Sequence, residues 1–589
     1  MMSFLLMVVF ALSVSAAPNS ISSFLQDAKP TTPQPLALES FLPADALGVI
    51  LIENVAQLKA ALAKTDFYRI ASEKSATDPA AKSFREVVDT MAGRDRRAAF
   101  VFVAPSTASR QPSLAIVVQG KNRAAIEAGA AKIEETYNLK ATDRIPRTSF
   151  VVANTSAQVD GEAASFARAE NIFIYGQQAA VEKVARTRAE STLSSDPTFQ
   201  RAREKRTPDE VVFTYINFSS LVSYLVRFMA AQPGAAADVT SLVLSALPFI
   251  GTTAIQGATI STRYQNGRAL DHITVFANWE RAGALSALLA FPSLQPKAAH
   301  TLPSDAPSYV SLGIDAVQIY DALLKTFGPL LSMQFGVSSV DEGVKALEQR
   351  LGFRLREELL ASLGNELALA QLKSPGTASD AYQIHSLVLI EVKDAELLKG
   401  VLEKSQANRG TEAETSAETY KGRKIYPLAE NISVSLIGSV AALATADEIK
   451  RLIDQLDQGK SLASAEHYKR TFGTQTAPRG IEIFVTSDIL NHPRVRRAIG
   501  GEGGRRAFTE ALRSNFNPTL YGAGERNSTG LMLDLSSPIG TPLLLDLFQT
   551  QWSPEAARLT ANSTGGVEQP LLRLMAYFSR IFSPVVSSK

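Results

Sequence analysis

Residues 41–50 read FLPADALGVI, and residues 301–310 read TLPSDAPSYV. Leu42-Pro43-Ala44-Asp45 and Leu302-Pro303-Ser304-Asp305 each lead into an apolar stretch, Val49 to Ile52 and Tyr309 to Ile314. In the second stretch Val310, Leu312 and Ile314 alternate with Tyr309, Ser311 and Gly313, the period of two that marks a half-buried strand. Asn54 and Asp315 come next, residue types whose side chains accept from a free N–H in the first turn of a helix. The segments after them, VAQLKAAL and AVQIYDAL, are expected helices. Strand, cap and helix recur together.

The correspondence continues in the same order. AAFVFV after Gly93 matches ELALAQL after Gly364, and Ser113 to Val118 matches Ser386 to Ile390. Lys121-Asn122 and Lys393-Asp394 then open the helices RAAIEAGAAKI and AELLKGVLEKS. NIFIYGQQAAVEKV parallels VAALATADEIKRLI, a strand running into a helix, with Asp447-Glu448 placed to favour the helix dipole as Asp341-Glu342 would elsewhere. Each is followed by the same short phrase, Leu193-x-Ser195-x-x-x-Phe199 and Leu462-x-Ser464-x-x-x-Tyr468. VVFTYINFSSLV parallels IEIFVTSDIL, and strands at ITVFANW and GLMLDLS close the two series. This order predicts an α+β fold in two tandem homologous halves, 40–292 and 300–550. Each half would be a mostly antiparallel or mixed sheet with packed helices. The halves would be independent domains or a pair about a pseudo-twofold, with a groove between them in the second case.

At 589 residues the chain exceeds what one hydrophobic core serves. Lys plus Arg is 60 and Asp plus Glu 58, so no global field recruits a polyanion and nucleic acid is not an expected partner. There is no cysteine, which removes thiol nucleophiles, disulfides, thiolate zinc sites and iron–sulfur clusters. The five histidines, His272, His300, His385, His467 and His492, are scattered, so no local metal motif exists and no cofactor or metal is expected.

The N-terminus carries an apolar run from Phe4 to Leu12, and Val14-Ser15-Ala16 fits a small-x-small cleavage site. Residues 1–16 therefore read as a signal peptide and 17–39 as a Pro/Ser/Thr-rich spacer, giving an extracytoplasmic, periplasmic or secreted protein. After a linker at 551–569, residues 570–589 read as an amphipathic helix. Its stripe of Leu571, Leu574, Met575, Phe578 and Phe582, with Arg573 and Arg580 beside it, suits docking back onto its own domain, with docking on a partner or peripheral contact with a membrane as the alternatives.

The LPxD phrases, the export signal and the stretch Tyr420-Lys-Gly-Arg-Lys-Ile-Tyr426 together resemble a bacterial extracytoplasmic family known as domain of unknown function 3352. The first half departs from the tyrosine phrase, reading RTSFVVANTS. The resemblance implies an extracytoplasmic location; it supplies no activity and no functional residue.

Signatures of catalysis are missing. GxSxG, GxxxxGK[ST] and a strand-to-helix GxGxxG do not occur. The nearest polar candidate is HPRVRRAIGGEGGRRAF, where Arg494, Arg496, Arg497, Arg505 and Arg506 flank four glycines and would suit an anion. The bland alternative is a solvated loop. Phe228, Leu242, Leu244, Leu247 and Phe249 lie in Leu- and Ala-rich segments that would cap the sheet or line a site for an apolar ligand or partner. The sequence thus points to an exported, non-enzymatic binding or interaction protein of the bacterial envelope, holding an envelope protein or an apolar small molecule. The alternatives are an exported hydrolase with a site assembled from distant residues, and a peripheral membrane scaffold.

Overall fold

The computed structural model describes residues 37–62, 97–136, 144–230, 251–375, 382–408, 417–486 and 520–537, short gaps within those stretches apart. Residues 1–36, the 551–569 stretch and the 570–589 segment lie outside the described residues.

The first half begins with β1 Gly48–Ile52, β2 Ala98–Val103, β3 Ser113–Gln119, β4 Arg144–Arg147 and β5 Phe150–Val159. It continues with β6 Glu162–Ala169, β7 Ile172–Gln177, β8 Val212–Asn217, β9 Ile255–Gln265 and β10 Arg268–Ala277. Its helices are α1 Val55–Leu62, α2 Arg123–Thr136, α3 Gln178–Ala185, α4 Pro197–Glu204, α5 Phe218–Ala230 and α6 Gly283–Leu288. The second half has β11 Ser308–Gly313, β12 Leu363–Pro375, β13 Tyr382–Val392, β14 Glu418–Tyr420 and β15 Arg423–Ala429. β16 Ile432–Ile437, β17 Val440–Ala444, β18 Ile481–Val485, β19 Leu520–Asn527 and β20 Gly530–Ser537 follow. Its helices are α7 Ala298–Thr301, α8 Ala316–Phe335, α9 Val340–Leu351, α10 Ala395–Ala407, α11 Ala446–Leu456 and α12 Glu466–Phe472.

The described strands form one antiparallel sheet, so the fold is α+β. Starting from the outer strand of the first half, the order is β4-β5-β6-β7-β3-β2-β1-β8-β9-β10. β10 pairs with β20, and the ladder runs on as β20-β19-β18-β11-β12-β13-β17-β16-β15-β14. Read outward from the β10–β20 seam, each half presents its strands in the same order.

Local chemistry explains the elements. Asn54 Oδ1 accepts from the Gln57 N–H at 2.9 Å, and Asp315 Oδ1 from that of Gln318 at 2.8 Å. Asn122 and Asp394 cap their helices in the same way, at 2.9 Å each. Asp341 and Glu342 lie in the first turn of α9, and Glu448 closes a capping box with Thr445 at the start of α11.

The recurring phrases find each other. The Leu42 carbonyl accepts from the Leu193 N–H, and the Leu302 carbonyl from the Leu462 N–H, both at 2.7 Å. Pro43 bridges to Thr192 and Pro303 to Ser461. All four leucines are fully buried, so each LPxD phrase is a clasp that closes on the later Leu-x-Ser phrase. Leu462→Ala should therefore cost about 3 kcal/mol by leaving a cavity in a closed core. A urea midpoint unchanged from that of the parent protein would refute this role.

Period two directs alternate side chains to opposite faces of the sheet. On one face Val49, Leu51, Val101, Val117 and Phe213 pack with Val181 and Val184 of α3. Tyr309, Ala368, Leu389 and Phe484 do the same with Ile449 and Ile453 of α11. On the other face α2 and α10 cover the two flanks through Ile126 and Leu398. Between them Ile260, Ile273, Val310, Ile483, Leu531 and Leu533 form one core that both halves share. The halves are thus joined by backbone pairing and by common burial.

The connection between them is packed down as well. The Leu294 N–H donates to the Arg479 carbonyl at 2.8 Å, and Gly313 donates to Gly480 at 2.6 Å. A Cβ on Gly313 would stand 1.9 Å from the Pro292 carbonyl oxygen, so glycine is required for this approach.

Candidate functional site at the sheet seam

The strand alternation that buries Ile273 and Leu533 turns His272, Thr274, Asp534 and Ser536 to the opposite face. His272 lies directly across from Ser261 on β9 and from Asp534 on β20. Its Nδ1 is 2.6 Å from Asp534 Oδ1, while Thr274 Oγ1 lies 3.4 Å from Nε2. Arg268 Nε donates to Ser536 Oγ at 2.9 Å. Thr259, Ser261, Thr274 and Ser536 are buried, whereas the His272 and Asp534 side chains keep 28% and 31% exposure. The floor at the seam is therefore polar, with one half-exposed pair joining residues from opposite ends of the chain.

A carboxylate on one imidazole nitrogen and a hydroxyl near the other resembles a proton relay. Acyl transfer also needs donors for an oxyanion. β9 and β20 pair with β10 on both sides, so β10's own backbone N–H groups are engaged in the ladder beside Thr274. Thr274 is itself only 5% exposed. The row presents side-chain groups that can accept and donate hydrogen bonds.

The row extends across the sheet. Asp534 faces Ala523, Ala523 faces Glu482, and Glu482 faces Ser311. In the first half Ser261 faces Phe213, which faces Leu51. The two ends of the row thus differ sharply in polarity. In the second half Glu366 accepts from Tyr309 Oη at 3.0 Å and Ser311 Oγ at 2.7 Å, and from the Lys297 and Ala298 N–H groups at 2.6 and 3.0 Å. Glu482 accepts from Tyr468 Oη and, at 2.9 Å, from Arg479. Burial pushes the Glu482 carboxyl up to about 7, against the pull of Arg479 and the Tyr468 hydrogen bond and with help from Glu366. Burial, then the nearby Glu482, also raises Tyr309 and Tyr468, keeping both as neutral donors. The corresponding first-half positions are filled by Val49, Leu51, Phe199 and Phe213, with the two phenylalanines edge to face at 6.1 Å.

The first half places its buried charge at the Glu366 position, where Arg97 stands just before β2. Glu39 is fully buried and accepts from Arg97 at 2.7 and 2.9 Å, with Arg203 at 2.6 Å. Burial alone would raise this carboxyl, but the arginines outweigh it and hold it below its ordinary value.

The tyrosine phrase has a structural meaning. Lys421 and Gly422 both take positive φ, 47° and 78°, making a tight turn between β14 and β15. Tyr420 Oη donates to Asp454 of α11 at 2.9 Å, and Lys421 Nζ reaches Asp454 at 2.7 Å. The phrase pins a hairpin to a helix.

Nearly all of the residues singled out in the sequence lie outside the described residues. Arg494, Arg496, Arg497, Arg505 and Arg506 lie outside the described residues, as do Leu242, Leu244, Leu247 and Phe249. Phe228 is on α5, with its side chain outside the description. Leu571, Leu574, Met575, Phe578 and Phe582 lie outside it too. What sequence reasoning passed over was a set of polar residues inside apolar strands: His272 in HITVFA, Glu366 in NELALA, Glu482 in IEIFV and Asp534 in LMLDLS. Among the described residues no three His, Cys, Asp or Glu side chains converge as a metal cage. No helix among them is long and apolar enough to cross a membrane.

The fold and seam define an antiparallel α+β protein with a polar floor between two helix-covered flanks. Residues 272–512, from β10 through most of the second half, match the family described as Protein of unknown function (DUF3352), which bears out the resemblance over that stretch. No curated protein matches the chain. Crystal form III of TP0453 is similar at 10% identity and a TM-score of 0.22, covering 41% of this chain and 80% of that one. Crystal form I gives 11% identity, a TM-score of 0.21 and the same coverage. At such TM-scores no residue role carries over.

Proposed function

We propose that this is a non-enzymatic binding protein of the bacterial envelope, and that the seam floor is its contact surface for an envelope protein. The observation that carries this reading is the half-exposed His272–Asp534 pair, set among buried hydroxyls on strands from both ends of the chain. A floor of hydrogen-bonding groups suits a polypeptide surface better than an acyl chain. The matching strand order about the seam supports a duplicated unit, which would present two flanks of related shape to one partner. Export rests on the apolar run from Phe4 to Leu12 and the Val14-Ser15-Ala16 site.

Native mass spectrometry of the protein purified gently from the envelope tests this. A stoichiometric protein complex is expected, lost in a His272→Ala/Asp534→Ala variant that keeps its far-UV circular dichroism. A lipid-mass adduct held equally by both proteins would overturn the reading in favour of a carrier. Recovery of the mature chain in the cytoplasmic fraction would overturn the location.

A further inference from the structure

Glu482 on β18 and Glu366 on β12 are both fully buried, with β11 between them. Tyr309 of β11 faces both carboxyls, and Tyr468 of α12 faces Glu482. Arg479, just before β18, reaches Glu482 Oε2 at 2.9 Å. The N-terminal N–H groups of α7 face Glu366. The other charged neighbours are directed elsewhere: Lys297 Nζ pairs with Glu391 at 2.5 Å. His467 stacks on Phe484 with centroids 5.2 Å apart, and its own charged neighbours are Arg470 and Lys373. Arg479 thus meets Glu482, while Glu366 is held by neutral hydroxyl and backbone N–H donors.

We propose that the Tyr309–Glu366–Tyr468–Glu482 cluster is a proton-operated latch on α12. The latch is closed while the cluster keeps a proton and loosened when that proton leaves. With both carboxyls ionised, a second negative charge sits where water does not reach, against a single arginine. The element able to yield is α12, which is seven residues long. It is held through Tyr468, through Phe472 beneath the Arg479 guanidinium at 5.1 Å, and through the Arg479 bond to the Phe472 carbonyl at 3.3 Å. Outward movement lets water reach Glu482. Because Glu482 lies in the same cross-strand row as Asp534 and His272, the movement opens one flank of the seam floor. The latch stands whatever the floor binds. The first half carries the internal control: α4 docks there through Phe199 on Phe213, which stand at the Tyr468 and Glu482 positions, and through Arg203 on Glu39, a carboxyl held below its ordinary value and so already ionised across the latch's window.

Amide hydrogen exchange of the full chain across a pH series, corrected for intrinsic rates, reads this directly. Protection in α12 should fall by up to about tenfold per pH unit as pH rises from about 4.5 to about 7 and level off above that, while α4 stays level across the window. In Glu482→Gln the α12 protection should be flat with pH. If that variant fails to fold, Tyr468→Phe/Glu482→Phe, which copies the first half, should be flat and protected. A level wild-type α12, a slope surviving in either variant, or equal loosening of α4 would each overturn the latch.

Discussion

Gly480→Ala is expected to cost about 3 kcal/mol or more, a large share of an ordinary domain's stability. A Cβ there would stand 2.2 Å from the Phe291 carbonyl oxygen and 2.6 Å from the Phe291 Cβ. Neither side has room to retreat. Phe291 is buried and already at φ 41°, and the bonds from Leu294 to Arg479 and from Gly313 to Gly480 clamp the two segments together. Gly400 is the contrast. It lies in the middle of α10 with nothing within 4 Å of an added Cβ, so Gly400→Ala should stabilise by about 0.5–1 kcal/mol. Chemical denaturation of the two variants separates a close backbone approach from a merely flexible residue. Equal midpoints would contradict the packing of the connection against β11 and β18.

Arg97→Ala should be of similar size, about 3–5 kcal/mol, because it strips the main partner from a buried charge. Arg97 bonds both oxygens of Glu39 and also reaches Glu53 at 2.8 Å. The Glu39 carboxyl is held below its unfolded value, so its contribution is present above about pH 4.5 and is lost as pH falls through the folded value. In Arg97→Ala much of this acid-side loss should vanish, since Glu39 then keeps only Arg203 to oppose the effect of burial. Glu482 works with the opposite sign. Between its unfolded value of 4.5 and about 7 the folded state holds a proton that the unfolded chain has released, so stability falls as pH rises through that window. The first half should be weakened by acid and the second by the approach to neutrality. Arg97→Ala and Glu482→Gln each remove one limb of the stability–pH curve, and a curve unchanged in either variant would refute the assignment.

Local chemistry made much of this fold legible. The alternation from Tyr309 to Ile314 marks β11, and Asn54, Asn122, Asp315 and Asp394 each cap the helix that the pattern assigns to them. The LPxD and Leu-x-Ser phrases were visible as repeats, though not as partners, because a bond from Leu193 to Leu42 is a long-range fact. The seam was hidden for the same reason. ITVFANW and GLMLDLS read equally as closing strands, and nothing in either stretch says that they pair with each other. Period two placed Glu482 on a face of IEIFV but not under α12, because burial depends on what a distant helix covers. The glycine–arginine stretch drew attention through composition alone, whereas the polar residues joined in space stood singly in apolar strands.

The most direct test of the continuous sheet is a cross-strand disulfide at the seam. The chain contains no cysteine, so His272→Cys/Asp534→Cys introduces a single possible pair. Those positions face each other in register on β10 and β20, within the reach of a disulfide. Mild oxidation followed by peptide mass mapping under non-reducing conditions should give an intramolecular crosslink between positions 272 and 534 in the monomer at high yield. Free thiols, or crosslinks only between molecules, would contradict a sheet that runs unbroken through both halves.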